Sequence, residues 1–119
     1  LVATIDINRR CLMLYPLSQW QIIEEKLIQL SDFDETEAAV KHLILGNAND
    51  CDMDKNGRVL LPSPLRLHAG LEKKLMLIGQ VNKFELWDEA QWQAQMKNDL
   101  KLARTLDFST STNLKGLAL

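Results

Sequence analysis

The chain has 119 residues, 46% hydrophobic and 25% charged, with a formal net charge of −2. That suits one small globular unit or two very small ones, and chains of this size often gain stability by self-association. No stretch approaches the ~18 apolar residues of a spanning helix, and a slightly acidic chain is a poor ligand for nucleic acid unless its charges are segregated.

In chain order, "LVATIDI" reads as a strand with no lead-in, and residues 2–7 and 11–15 flank "NRR" as a hairpin. Pro16 ends the second strand, and Trp20, Ile23, Leu27 and Leu30 recur at helical spacing. "SDFD" interrupts. Asp34 with Glu37 three residues later is a capping-box start, and Gly46 is a stop for the helix that buries Val40, Leu43 and Ile44. "NANDCDMD" leads into a strand, "KNG" turns it and "RVLLP" returns. Ser63 caps a short helix with Pro64 at its first position, and Gly70 ends it. "KLMLIGQV", "NK" and "FELW" form another hairpin, and Asp88 with Gln91 starts the last helix, on which Trp92, Met96 and Leu100 share a face. After about Leu106 a loose tail is expected.

The charges are segregated. Residues 20–39 hold six acids against Lys26, a balance of −5, whereas residues 55–74 hold five cations against Glu72, a balance of +4. One region repels polyanions and the other attracts them. Cys11 and Cys51 lack metal-ligand spacing and read as buried thiols of a reducing, cytoplasmic compartment. No phosphate-binding glycine loop, metal cluster or catalytic triad is legible, so neither enzymatic function nor a cofactor is expected. Trp20 and Trp92 read as core or interface residues, His42 as a surface or packing residue, and His68 as structural.

"CLMLYPLSQWQ" and "KFELWDEAQWQ" repeat at an offset of 72, matching Leu14, Gln19, Trp20 and Gln21 to Leu86, Gln91, Trp92 and Gln93. Tyr15 falls on Trp87, and both copies run strand, break, helix. The first counterpart of "DKNGR" would fall before Leu1, so roughly thirty preceding residues with their own acid and arginine are expected.

Asn56-Gly57 is a strong hairpin signal with two possible turns. A two-residue loop would pair Lys55 with Arg58. A three-residue loop, Lys55-Asn56-Gly57 with Gly57 at positive φ, would set Asp54 opposite Arg58 as a cross-strand ion pair beside a bulge. The second uses both the charges and the glycine, and is expected. Such an exposed pair contributes only about 0–1 kcal/mol, so its value would lie in orienting the guanidinium toward phosphate or a guanine edge. A turn-stabilising pair with no partner is the plain alternative.

"DMDKNGRVLLPSPLRLHAGL" followed by "LIGQVNKFELWDEAQW" resembles the second half of the MraZ family, regulators of the bacterial division and cell-wall gene cluster, and "IDINRRCLMLYPLSQWQIIEEKL" resembles the end of its first half. The resemblance implies an α+β fold of tandem SpoVT/AbrB-type swapped-hairpin half-barrels, the first copy incomplete. The divisions would be 1–19, the remainder of the first domain; 20–47, linking helices; 48–91, the second domain; and 92–119, a C-terminal helix and tail. It implies a sequence-specific, nucleoid-associated repressor that forms ring-shaped homo-oligomers and binds double-stranded promoter DNA of a cluster including its own gene. No small-molecule substrate and no membrane partner are implied. Asp54 and Arg58 match the family's D-x-x-x-R, Lys55, Asn56 and Gly57 form the loop, and Lys55 and Arg66 would contact phosphate. The acidic segment would face away from DNA. The competing reading is an antitoxin-like or structural oligomeric protein-binding module, which the acid-free tail "STSTNLKGLAL" disfavours.

Overall fold

The computed structural model describes residues 1–105 and 111–117. Its centre is a five-stranded antiparallel sheet in the order β3-β1-β2-β5-β4, so the fold is α+β with an open sheet. The strands are β1 (Val2–Ile5), β2 (Leu12–Tyr15), β3 (Asn49–Asp50), β4 (Leu75–Gly79) and β5 (Phe84–Asp88). The helices are α1 (Leu17–Ile28), α2 (Glu35–Gly46), α3 (Ser63–Ala69), α4 (Glu89–Thr105) and α5 (Thr112–Lys115).

Both faces of β1 and β2 are apolar, so both are covered, and this half of the sheet is the middle of three layers. Ala3, Ile5, Leu12 and Leu14 pack on one face with Cys51, Leu65 and Ala69, which come from α3 and the chain before it. Val2, Met13 and Tyr15 pack on the other face with Trp20, Leu27 and Ile44 of α1 and α2. Each fully buried Leu contributes about 1.5–3 kcal/mol. Thr4, fully buried on the second face, donates to the Ile44 carbonyl at 2.7 Å and ties β1 to the end of α2. The acidic helices and α3 therefore lie on opposite faces of the sheet.

The two hairpins meet at β2 and β5. Under the 72-residue offset Leu12, Met13 and Leu14 correspond to Phe84, Glu85 and Leu86. The observed register sets Leu12 opposite Leu86, Met13 opposite Glu85 and Leu14 opposite Phe84. That exchange is what a local twofold axis between Met13 and Glu85 produces. The aromatic pairs match as well: Tyr15 and Trp20 have ring centroids 5.8 Å apart, Trp87 and Trp92 5.6 Å apart.

Most sequence expectations hold, with instructive departures. Asp34 accepts from the Glu37 amide at 2.9 Å as a helix cap, but the Glu37 carboxylate turns to the Ser31 amide instead of closing the box. The cap of α3 is Pro62, and Ser63 is already helical. "RVLLP" forms only a single bridge, Val59 to Met53, because α3 begins immediately after it. The β4–β5 loop is Val81-Asn82 and not Asn82-Lys83: the Gln80 amide donates to the Lys83 carbonyl, and Val81 takes φ 69°. The Met96 and Leu100 face of α4 is substantially exposed. The expected loose tail lies partly outside the described residues. Within it, α5 is a helix, capped by Ser111, whose hydroxyl accepts from the Leu114 amide.

Candidate nucleic-acid interface

Asp54, Lys55, Asn56, Gly57 and Arg58 form one fully exposed hairpin tip. The Asp54 amide donates to the Arg58 carbonyl at 2.8 Å, and the Gly57 amide donates back to the Asp54 carbonyl at 3.1 Å. The loop is therefore the expected three-residue one, with Gly57 at φ 75°. Nothing lies within 4 Å of where a Gly57 Cβ would sit, so the backbone angle and not crowding demands glycine.

The expected Asp54–Arg58 ion pair is not formed. Asp54 Oδ1 instead accepts the Asn56 amide at 2.9 Å and the Arg58 amide at 2.8 Å. The only ion pair among the described residues joins Lys41 to Asp32. The carboxylate cages the turn, the local competition in which Asp excels. Arg58 is thus held by its backbone, and its guanidinium is left free for another partner.

The direction of the tip follows from register. β3 runs antiparallel to β1, with Ala3 opposite Asn49 and Val2 opposite Asp50, and the Cys51 amide donates to the Leu1 carbonyl. The chain leaves β3 heading past Leu1, away from the Asp6–Arg10 turn. α3 brings it back: in its Nε2–H tautomer, His68 donates to the Asp6 carbonyl at 3.1 Å. Arg66 consequently does not join the tip. It is exposed and lines a hollow of about 530 Å³ with Arg10, Gly70 and Gln91. The Arg10 guanidinium covers Gly70 so closely that a Cβ at that position would fall 2.7 Å from it. The cationic β1–β2 turn, with Arg9 and Arg10 exposed, is a second basic site that reading "NRR" as a plain loop missed.

The remaining candidates lie as follows. Trp20 is buried, Trp92 is partly buried against Trp87, and His42 is exposed. Cys51 is buried, and that burial pushes its thiol above the ordinary range, the opposite of an activated nucleophile. No helix among the described residues is long and apolar enough to cross a membrane.

A profile described as "MraZ protein, putative antitoxin-like" matches residues 44–113. The whole chain is 54% identical to a protein of Idiomarina loihiensis, covering 78% of that relative's length. It is 51% identical to one of Shewanella amazonensis and 49% identical to one of Histophilus somni, each again over the full chain and 78% of the relative. The chain belongs to the MraZ family. All three relatives carry the name "Transcriptional regulator MraZ". The MraZ profile spans the caged tip, α3, the β4–β5 hairpin and all of α4, so the part carrying the candidate site lies within it.

Proposed function

We propose that this chain is a sequence-specific DNA-binding transcriptional regulator, a non-enzymatic repressor of a bacterial division and cell-wall cluster that includes its own gene. The observation that carries this reading is the caged tip: a turn whose carboxylate is used by backbone amides and whose Arg58 and Lys55 side chains are exposed. The relatives' name, transcriptional regulator, supports DNA as the target class. Lys55 contacts phosphate, Arg58 reads a guanine edge or clamps the backbone, and Asp54, Asn56 and Gly57 hold the turn. Arg66, on α3, is at most a separate phosphate contact. The protein works in the cytoplasm, on the nucleoid.

The local twofold relation of the two hairpins supports tandem SpoVT/AbrB-type domains packed as a pseudo-dimer, with the remainder of the first at 1–19, linking helices at 20–47, the second at 48–91 and a C-terminal helix and tail at 92–119. Assembly into a ring has its own support. β4 is an edge strand with Leu75 and Leu77 exposed, a surface suited to another copy. A ring aligns several tips, and effective concentration offsets the weak affinity of each.

The test is a gel shift on the promoter upstream of the chain's own gene. Arg58→Ala should weaken binding by about 5- to 150-fold, equivalent to about 1–3 kcal/mol, with circular dichroism unchanged. Undiminished binding would remove Arg58 from the interface, and no binding either by this chain or by one extended N-terminally to the relatives' full length would sink the repressor reading.

A further inference from the structure

Asp6 and Cys11, at the two ends of the β1–β2 turn, meet the distant Glu85 on the face of the sheet that also packs α1 and α2. Asp6 follows β1, Cys11 precedes β2, and Glu85 lies on β5. Ile5 pairs with Leu12 and Met13 with Glu85, so alternation puts Asp6, Cys11 and Glu85 on the same face. They are 6%, 0% and 8% exposed, and their potential ligand atoms all lie within 4.8 Å of one another. No cationic side chain pairs with either carboxylate, since Lys41–Asp32 is the only ion pair among the described residues. Two buried carboxylates without a positive partner are costly.

We propose that Asp6, Cys11 and Glu85 form a binding site for a zinc-like divalent cation. Cys11 Sγ and Asp6 Oδ2 are 3.7 Å apart. Two ligands sharing a tetrahedral zinc, with arms of ~2.3 Å to sulfur and ~2.0 Å to oxygen, stand roughly 3.5 Å apart. The supporting shell is already built. Asp6 Oδ1 accepts the Asn8 amide at 2.8 Å and the Arg9 amide at 3.1 Å, which leaves Oδ2 for the ion. The Trp87 indole donates to Glu85 Oε1 at 3.0 Å and fixes that side chain. Such outer contacts orient metal ligands. Glu85, alone of the three, lines an open hollow of about 170 Å³ with Asp99, Gln95 and Arg9, from which an ion would reach the site.

Without a cation, the Cys11 S–H donates to Asp6 Oδ2. A bound cation reverses the local field, and the thiol proton leaves to solvent as the metal–sulfur bond forms. Sulfur among the donors favours zinc over magnesium or calcium, and water completes the coordination. The ion would pin the mouth of the β1–β2 hairpin to β5, across the junction of the two hairpins.

Cobalt(II), titrated into the metal-free chain, tests this. One equivalent should bind with a thiolate-to-cobalt charge-transfer band, displaced by zinc, and zinc should raise the melting temperature. Cys11→Ser should abolish the band, and Cys51→Ser should keep it. Glu85→Gln, which still accepts from Trp87, should weaken cobalt binding at least tenfold with unchanged circular dichroism. That variant covers the case in which Cys11→Ser fails to fold. No band in the parent chain, a band that follows Cys51, or undiminished affinity in Glu85→Gln would each overturn the site.

Discussion

At the scale of single residues, one carboxylate decides the tip. Spacing alone assigns Asp54 to the Arg58 guanidinium, but two amides lie nearer along the chain and are already ordered by the turn. A long arginine side chain must lose rotamer entropy to compete, and in water the return is small. D-x-x-x-R spacing therefore registers a cage for the backbone, and the arginine side chain is left without an ion pair. Asp54→Ala should cost about 1 kcal/mol of stability through the two lost hydrogen bonds, read by urea melts. It should also weaken promoter binding although Arg58 is untouched. If Asp54→Asn, which keeps an acceptor oxygen, fails to recover most of that binding, the cage is not what positions the arginine.

Among the elements, legibility tracks how local the cause is. Helical spacing locates α1 and α2, and Gly70 closes α3 in the left-handed conformation the sequence implies. Asp88 accepts from the Gln91 amide at 3.4 Å, as its position before α4 implies. The β4–β5 loop is misplaced by turn chemistry, which points to Asn82-Lys83, whereas pairing of Gly79 with Phe84 fixes the loop one residue earlier. Register here is set by burying Trp87, and it overrides local preference. The Asp6, Cys11 and Glu85 cluster is illegible for a related reason: it depends on β2–β5 pairing, which no local pattern reveals. Val81 pays for the register with φ 69°, a strained angle for a β-branched residue, while its side chain is fully exposed. Val81→Gly should therefore stabilise the chain by about 1 kcal/mol, seen as a higher urea midpoint at constant slope. An unchanged or lower midpoint would mean that the angle carries no strain.

Over the whole molecule, charge is sorted by the sheet. α1 and α2 carry the acidic segment on one face, and α3 packs on the other. The tip leaves the sheet past Leu1, and Glu35 stands at the far end of α2 from β3. Twelve helical residues separate Glu35 from the strand that feeds the tip by about 18 Å, beyond the ~10 Å Debye length at 0.1 M salt. Glu35 is therefore screened from the tip, whereas Glu24 of α1 lines a hollow with Asn49 and Asp50 of β3 and lies closer to it. Binding to the promoter should weaken linearly in log–log form as salt rises, each phosphate contact contributing a slope of about 0.9. Lys55→Ala should flatten that slope by about one contact for every tip engaged, and Glu35→Gln should leave it unchanged, both read by fluorescence anisotropy across a salt series. Weaker binding of Lys55→Ala at an undiminished slope would mean that Lys55 supports the tip without touching phosphate. A slope altered by Glu35→Gln would show that the two faces of the sheet are not electrostatically separate.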